Sequence, residues 1–422
     1  MDSTEPEFEH GAAEAAASTL RTTVAIRERA GQLLRRARHG DSPWFTVDDG
    51  LMDATAAEVV IAAMHRFPGL HVPLHSRWRH FEAGGVHRRA ELERWLGAVP
   101  LAARAHSLID LTVVSVLLDG GAGPDWKYTE AASGQTFTRS EGLAVASYHA
   151  FVGGLFSSDR NHPLQADSTG LRALIPDHLA AAFQVTPTNP LVGLQERALL
   201  LHRLGEVIAE QPEVFGEDAR PAGMFDMLIS PLGPDVPHTA DVAAHDILSQ
   251  LLSSLSGIWP ADNAIGAFPL GDCWRHPAVR GEGLTDGWMP LHKLSQWMAY
   301  SLLEPFEWSG VKVREVDKLT GLPEYRNGGL LIDTGLLRLR DEQAARELWR
   351  PGDEIIVEWR ALTVALLDEV AAAVRRQLKV DAVRLPLARV LEGGTWAAGR
   401  ELAQKHRGGL PPLRVASDGT VF

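Results

Sequence analysis

The chain has 422 residues, of which 45% are hydrophobic and 23% charged, as in an ordinary globular protein with a large core. Its formal net charge of -13 argues against a general nucleic-acid binder, because affinity for phosphate backbones depends on clustered lysine and arginine. The single cysteine, Cys273, excludes an intramolecular disulfide and any multi-cysteine metal site, which fits a reducing cytoplasm.

Targeting and cofactor signals are missing from the chain. The N-terminus is acidic, and no basic region leads into a long apolar core as in a signal peptide. No run of about 18 apolar residues, the minimum for a membrane helix, occurs. Walker-type and Rossmann glycine motifs are absent from the sequence, so no nucleotide cofactor is predicted. We therefore expect a cytoplasmic protein that binds neither a membrane nor a nucleic-acid polymer.

Helical periodicity and capping signals recur along the chain, whereas alternating runs are few. The residues around Ser133-Gly134 do alternate, which is typical of a β-hairpin. We therefore predict a mostly α-helical fold with one short hairpin at about residues 126–138. Among the predicted helices are Ala12 to about Arg38, Asp53 to about Arg66, residues 100–118, and Met289 to Glu304.

The stretch from Pro231 to Pro237 is the best candidate for a linker, because it is rich in proline and glycine. It divides the chain into an N-terminal helical subdomain, residues 1–230, and a C-terminal helical subdomain, residues 238–422. A chain of this length is sufficient for roughly two or three domains. We expect the functional site to lie between the two subdomains.

In the segment His75-Ser-Arg-Trp-Arg-His-Phe-Glu-Ala-Gly-Gly85, rings and cations alternate before a glycine pair. Arg77, Arg79 and His80 can donate hydrogen bonds to an anion or to sugar hydroxyls. The structural alternative buries the aromatic rings and leaves the arginines along the surface. The density of donors favours a segment that faces a ligand.

Asp119 follows the most apolar predicted helix, residues 100–118. A carboxylate in the last turn opposes the negative end of the helix dipole, at a cost of some tenths of a kcal/mol up to about 1 kcal/mol. Its position therefore needs another reason. Either a neighbouring loop donates hydrogen bonds to it, or the carboxylate belongs to a site.

The predicted hairpin carries two aromatic residues, Trp126 and Tyr128, on the same face of one strand, where they could form one wall of a pocket. Glu141 follows Ser140, a plausible N-cap, and a carboxylate in the first turn of a helix is favourable. Stabilisation of the helix alone would therefore explain Glu141.

The predicted helix from Met289 to Glu304 places His292, Gln296 and Tyr300 four residues apart on one face. Three hydrogen-bonding side chains on one face could contact a substrate. A solvated face is the alternative.

The loop from Gly271 to His276 holds an acid, a thiol and an imidazole at Asp272, Cys273 and His276. These residue types can bind a metal, but no repeating ligand spacing supports that interpretation. We predict no metal site.

The stretch from Leu319 to Asp333 places a carboxylate, an aromatic ring and a guanidinium side by side at Glu324, Tyr325 and Arg326. Pro323 favours extended backbone before them, and Gly328-Gly329 permits φ values that other residues resist. We therefore expect these three residues on irregular backbone. A tight turn with a surface ion pair is the alternative.

Six segments together carry a resemblance to a known family: residues 75–85, Val114-Ser-Val-Leu-Leu-Asp-Gly-Gly-Ala-Gly123, Arg139-Ser-Glu-Gly-Leu143, Thr320-Gly-Leu-Pro-Glu-Tyr-Arg-Asn-Gly-Gly329, Gly394-Thr-Trp396 and Ser417-Asp-Gly-Thr-Val-Phe422. With these segments the chain resembles the uracil-catabolism protein family, from about residue 24 to the C-terminus. The family is associated with a pyrimidine-degrading pathway in which uracil is ribosylated and its opened ring leaves a ribosylurea.

A weaker resemblance links the chain to the queuosine-salvage nucleoside glycosidases, helical proteins related to DNA glycosylases. Their Asp-Tyr-Arg motif is similar to Glu324-Tyr325-Arg326, with glutamate in place of aspartate. Their Trp-x-Tyr segment before a helix is similar to Trp126-Lys-Tyr128. This resemblance implies a DNA-glycosylase-like helical core.

The two resemblances imply an N-glycosidic hydrolase that cleaves ribosylurea, or its 5′-phosphate, to urea and ribose or ribose phosphate. Such a reaction needs a carboxylate near C1′ and a donor to the leaving urea, but no metal. Glu324 is the candidate carboxylate, with Asp119 or Asp333 as a second acid. The candidate substrate-binding residues are Arg77, Arg79, His80, Trp126, Tyr128, Glu141, His292, Tyr325 and Arg326.

Two other functions stay open at this point. One is a non-catalytic partner that channels an unstable intermediate or scaffolds other enzymes of the pathway. The other is hydrolysis of an amide of the opened ring, which would use the metal interpretation of Asp272, Cys273 and His276. The sequence leaves the oligomeric state and phosphorylation of the substrate undetermined.

Overall fold

The computed structural model describes residues 5–229, 241–259 and 263–416, with side chains from residue 10 onward. The predicted linker, Pro231 to Pro237, lies outside these residues. The α-helices are α1 (Glu5–Leu20), α2 (Thr23–His39), α3 (Met52–Arg66), α4 (Arg77–Phe81), α5 (Arg88–Leu96), α6 (Leu101–Leu117), α7 (Arg139–Val152), α8 (Ser168–Arg172), α9 (Pro176–Ala182), α10 (Leu194–Ala209), α11 (Pro212–Phe215), α12 (Gly223–Ile229), α13 (Ala244–Ser254), α14 (Lys293–Trp308), α15 (Tyr325–Asp333), α16 (Glu354–Leu378), α17 (Leu387–Val390) and α18 (Trp396–Arg407).

The strands are short, and in the described part of the chain every sheet has two strands. The strands are β1 (Phe45–Val47), β2 (Lys127–Thr129), β3 (Thr136–Thr138), β4 (Asp241–Ala243), β5 (Ala264–Ile265), β6 (Phe268–Pro269), β7 (Cys273–Arg275), β8 (Trp288–Pro290), β9 (Lys312–Arg314), β10 (Leu337–Leu339), β11 (Leu348–Trp349) and β12 (Arg414–Val415). The pairs β1–β10, β2–β3, β5–β6 and β7–β8 are antiparallel, and β4–β9 and β11–β12 are parallel.

The prediction of a mostly α-helical fold is confirmed. The predicted hairpin is also confirmed, as β2 and β3, in which Tyr128 lies opposite Phe137. No helix of the described residues is long and apolar enough to cross a membrane.

The described residues form two compact units. The first unit contains residues 5–75, 263–296 and 316–416, and the second contains residues 76–229, 241–259 and 297–315. Each unit therefore combines segments from both sides of the predicted linker. The division of the chain at that linker stays a prediction.

The core of the first unit is built on α16, whose residues are buried along most of its length. Helices α2 and α3 pack against α16, and α15 packs against α18. In the second unit, α6 is buried on all sides from Ser107 to Leu117, as its apolar sequence predicts.

Two glycines set the close packing around α15. A Cβ added at Gly328 would lie 2.7 Å from the Trp359 ring, and one at Gly399 would lie 2.2 Å from the Arg326 carbonyl oxygen. Gly328 and Gly329 both lie inside α15 and neither has a positive φ. The expectation that this pair supplies unusual φ values is therefore wrong. Gly328 instead lets a tryptophan pack directly on the helix backbone.

Gly328→Ala is expected to destabilise the protein by roughly 1–3 kcal/mol, because the added methyl overpacks the contact with Trp359. Gly329→Ala is the matched control, since its Cβ would meet its nearest neighbour, Pro412, at an ordinary 3.5 Å. The control should be neutral or gain up to about 1 kcal/mol from helix propensity. Urea unfolding of both variants measures the difference. Equal stabilities would contradict the packing role.

Candidate functional site

Glu324 is the N-cap of α15, and its side chain is held by the helix that it begins. One carboxylate oxygen accepts from the backbone N–H of Asn327 (2.6 Å) and the other from that of Arg326 (2.8 Å). The carboxylate therefore has one fixed orientation at the positive end of the helix dipole.

The expectation of irregular backbone at Tyr325 and Arg326 is wrong, because both lie in the first turn of α15. The cap formed by Glu324 begins a helix where the neighbouring proline and glycines suggest a loop. A functional site at this stretch is still possible on a helix, because Glu324 and Tyr325 are only half-buried and a ligand can reach them.

Arg326 is 5% exposed and lies against two aromatic rings. Its guanidinium carbon is 5.1 Å from the centroid of the Tyr325 ring and 4.8 Å from that of Trp396. Among the described residues, no carboxylate oxygen lies within 4.0 Å of its guanidinium nitrogens, and Nη1 is buried without a hydrogen-bond partner. The alternative of a surface ion pair with Glu324 is therefore wrong.

A buried ion pair supports the backbone that precedes Glu324. The Arg360 guanidinium donates to the Pro323 carbonyl (3.3 Å) and to both carboxylate oxygens of Asp272 (2.8 and 2.7 Å). Asp272 also accepts from Trp274 Nε1 and from the Lys293 N–H. This network positions the carbonyl directly before the candidate catalytic residue.

The charge state of Asp272 follows from these contacts. Burial raises the pKa of Asp272. The charge and hydrogen bonds of Arg360, together with the hydrogen bonds from the Lys293 N–H and Trp274, outweigh this effect and lower the pKa to about 2. Asp272 is therefore ionised at neutral pH.

The metal interpretation of Asp272, Cys273 and His276 is not supported by the positions of these residues. Both oxygens of Asp272 accept from Arg360. Cys273 is fully buried, and burial together with the charge of Asp272 raises the pKa of its thiol, which disfavours the thiolate that binds metals. His276 instead lies against α16.

In the part of the chain that the structure describes, potential ligand atoms of His276, Glu354 and Glu358 lie within 4.8 Å of one another. Arg36 Nη1 lies 3.0 Å from Glu358, and Ser42 donates to the same carboxylate. His276 Nδ1 accepts from the backbone N–H of Ala278, and its Nε2 lies 3.2 Å from a Glu358 oxygen. These contacts are typical of a buried ion-pair cluster.

Asp333, a candidate second acid, ends α15, at whose other end Glu324 is the N-cap. A nine-residue helix with a rise of about 1.5 Å per residue separates their Cα atoms by roughly 13 Å. Arg407 binds both oxygens of Asp333, at 2.5 and 2.7 Å. The structure therefore does not bring Asp333 to Glu324.

His292 is buried, and its Nε2 donates to the Leu20 carbonyl (3.0 Å). Helix α14 begins at Lys293 and not at the predicted Met289. Met289 belongs to strand β8, and His292 has a φ of +47°, which is not helical. Gln296 is also buried and accepts from Thr320, so the alternative of a solvated face is wrong. A role of His292 in binding substrate stays a prediction.

In the second unit, Asp119 takes part in a buried network. Arg77 is fully buried, and its Nη1 lies 2.6 Å from one Asp119 oxygen, while Trp297 Nε1 donates to the other (3.0 Å). Arg77 also donates to Ser115, and its Nη1 lies 3.2 Å from His80 Nδ1. Hydrogen bonds from neighbouring groups therefore explain the position of Asp119.

The helix dipole at Asp119 is balanced by a second buried arginine. Arg197 donates to the carbonyls of Leu118, Gly120 and Gly121, just past the C-terminus of α6. A cation at this end offsets the cost that the sequence indicates for Asp119. Whether Asp119 also acts as a second acid stays a prediction.

The other candidates of the second unit have partners of their own. Arg79 binds both oxygens of Glu304 (2.8 and 3.0 Å), and Glu141 lies in the first turn of α7. Trp126 is fully buried and its Nε1 donates to the Phe183 carbonyl, and Tyr128 stacks on His149. Trp126 therefore packs in the core. The assignments of these residues to substrate stay predictions.

Sequence reasoning missed Arg360 and Trp396 as partners of the candidate site. An arginine inside the apolar run of α16 was a signal, because a charge there must have a buried partner. The contact between Trp396 and Arg326 had no local signal, since 70 residues separate them in the chain. The first unit thus assembles a fixed carboxylate, an unpaired guanidinium and two rings.

Comparison with known proteins identifies the family. Residues 19–422 match a family model described as "Protein of unknown function (DUF1688)". The chain belongs to this family. It is 40% identical over 378 residues to "Uracil catabolism protein 4" of Lachancea kluyveri, covering 83% of this chain and 85% of that protein.

A second relative is "Protein urg3" of Schizosaccharomyces pombe (strain 972 / ATCC 24843). It is 39% identical over 410 residues, which cover 94% of this chain and 96% of that protein. The resemblance to the uracil-catabolism protein family is therefore confirmed.

Proposed function

We propose that this protein acts in uracil catabolism as an N-glycosidic hydrolase. Its substrate is ribosylurea or the 5′-phosphate of ribosylurea, and its products are urea and ribose or ribose phosphate. The name of the Lachancea kluyveri relative supports the pathway. The geometry at Glu324 supports the type of reaction.

The observation that carries the proposal is the fixed carboxylate of Glu324. Cleavage of the C1′–N bond passes through an oxocarbenium-like state, and a preorganised negative charge stabilises it without reorganisation. Two backbone N–H groups hold this carboxylate in place, and Arg360 braces the preceding carbonyl. A water oxygen then bonds to C1′ while the C1′–N electron pair and a proton leave with urea.

Arg326, Tyr325 and Trp396 hold the substrate beside this carboxylate in the proposed mechanism. The buried guanidinium offers an unused donor, and the two half-buried rings offer flat faces for a planar ureido group. Glu324 acts on the reacting carbon, whereas Arg326 binds the substrate throughout.

Incubating the purified protein with ribosylurea and with its 5′-phosphate, followed by an assay for urea, tests this proposal. Release of urea that depends on the protein supports it. Failure to release urea from either compound, by a folded protein, would overturn it.

Chelation is expected to leave the rate of urea release unchanged, because a carboxylate supplies the charge stabilisation and Arg36 already neutralises the cluster around Glu358. The measurement compares activity before and after dialysis against EDTA. Activity lost on dialysis and restored by a divalent ion would contradict this prediction and favour amide hydrolysis.

A further inference from the structure

The first turn of α15 contains two buried polar atoms without partners. Nη1 of Arg326 and Oδ1 of Asn327 have no hydrogen-bond partner among the described residues. Arg326 is 5% exposed and Asn327 is fully buried. Buried polar atoms are nearly always paired, so two unpaired atoms on adjacent residues need an explanation.

The two atoms differ in what they need. Nη1 belongs to a permanent cation, which calls for an acceptor that carries negative charge. Oδ1 is an acceptor, because Nδ2 of the same amide donates to the Leu322 carbonyl (3.3 Å). It therefore needs a donor such as a hydroxyl. A sugar phosphate carries both kinds of partner, an anionic group for Nη1 and hydroxyls for Oδ1.

The surroundings of Arg326 differ from those of the other buried arginines among the described residues. Arg77, Arg88 and Arg360 each pair with a carboxylate, at 2.6 to 2.7 Å, whereas Arg29 and Arg197 donate to backbone carbonyls. Arg326 has ring contacts in place of an acid. Rings attract a cation but do not neutralise its charge, so the Arg326 guanidinium keeps its positive charge for an anion.

We infer that the substrate is a phosphate monoester, bound as a sugar phosphate with its phosphate on Arg326 and a sugar hydroxyl on Asn327. This inference rests on the proposed function and selects between its two substrates. Both unpaired atoms are shielded from solvent, so side chains around the first turn of α15 have to move to admit the phosphate.

Calorimetric titration of the full-length protein with ribose 5-phosphate, ribose and inorganic phosphate tests the inference without any turnover. Ribose 5-phosphate should bind at least about 10-fold more tightly than either other ligand, since charged hydrogen bonds contribute at this level. Equal affinity for ribose and ribose 5-phosphate would overturn the inference. Equal affinity for inorganic phosphate would mean that no sugar is recognised, which overturns it as well.

Arg326→Met should lower the affinity for ribose 5-phosphate by between about 10-fold and 100-fold and leave that for ribose nearly unchanged. Arg376→Met is the matched control, because it removes the same charge from an exposed position of the first unit. An unchanged affinity in a folded Arg326→Met variant would overturn the inference. If that variant does not fold, the comparison of ligands on the unaltered protein decides the question.

The two proposals fail in different ways. Equal rates of urea release from ribosylurea and its 5′-phosphate would overturn the phosphate inference and leave the glycosidic hydrolase standing. No urea from either, together with ribose 5-phosphate binding that depends on Arg326, would overturn the hydrolase and support the anion site.

Discussion

Glu324→Gln is expected to lower kcat for urea release by roughly 100-fold or more, with little change in substrate affinity. The amide keeps the size of the side chain but removes the charge that stabilises the cationic transition state. An amide also has one oxygen, so one of the two capped N–H groups loses its acceptor. We expect this loss to cost about 1 kcal/mol of stability.

Kinetics and melting temperature should be measured on the same preparation of Glu324→Gln, with two comparison variants. Glu324→Asp keeps the charge and is a good N-cap, so it should keep the stability and lose less activity. Asp333→Asn changes an acid at the far end of the same helix, where it weakens the pair with Arg407. We expect Asp333→Asn to lower the melting temperature but to leave kcat nearly unchanged. A destabilised but fully active Glu324→Gln variant would contradict the catalytic assignment.

Arg360→Met is expected to lower the free energy of unfolding by roughly 3–5 kcal/mol, because it leaves the Asp272 charge buried without its partner. The double variant Arg360→Met/Asp272→Asn removes that charge and should recover part of the loss. Denaturant unfolding of the single and double variants measures both values. Equal stabilities would show that the unpaired charge is not the cause.

The same pair predicts a dependence of stability on pH. The pKa of Asp272 is lowered to about 2 in the folded protein. Ionised Asp272 therefore contributes fully to the free energy of unfolding above its unfolded pKa near 4. That contribution is lost as the pH falls from about 4 towards 2. In Asp272→Asn this part of the acid sensitivity should disappear.

Arg360→Met should also lower kcat, because the Pro323 carbonyl loses its donor next to Glu324. In the double variant Arg360→Met/Asp272→Asn, stability should recover in part, but the Pro323 carbonyl still has no donor at position 360. Its kcat should therefore stay low, which separates positioning of Glu324 from global stability.

The sequence predicts those parts of the fold whose signal is local. Helix α6 follows from an apolar run, and the hairpin β2–β3 follows from alternation around a Ser-Gly turn. The prediction of unusual φ values fails at Gly328, which lies inside α15 and whose missing side chain makes room for the Trp359 ring of another helix. The predicted start of the helix at Met289 is also wrong, because Met289 pairs with β7, the preceding strand, and α14 begins only after it.

The candidate site shows the same limit. Glu324, Tyr325 and Arg326 could be found because three functional side chains are adjacent in the chain. The pair of Asp272 with Arg360, which are 88 residues apart, could not. Nor does the sequence show that Arg326 has no acidic partner in the part of the chain that the structure describes, since only the packed structure reveals which charges are paired.

The most direct test of glycosidic cleavage follows the ureido carbon. Substrate labelled with ¹³C at the ureido carbonyl would be incubated with the purified protein and its products identified by ¹³C NMR. Cleavage of the C1′–N bond places all of the label in urea, and Glu324→Gln should slow that signal by roughly 100-fold. Label that appears in carbamate or bicarbonate would show amide hydrolysis and contradict the proposed function.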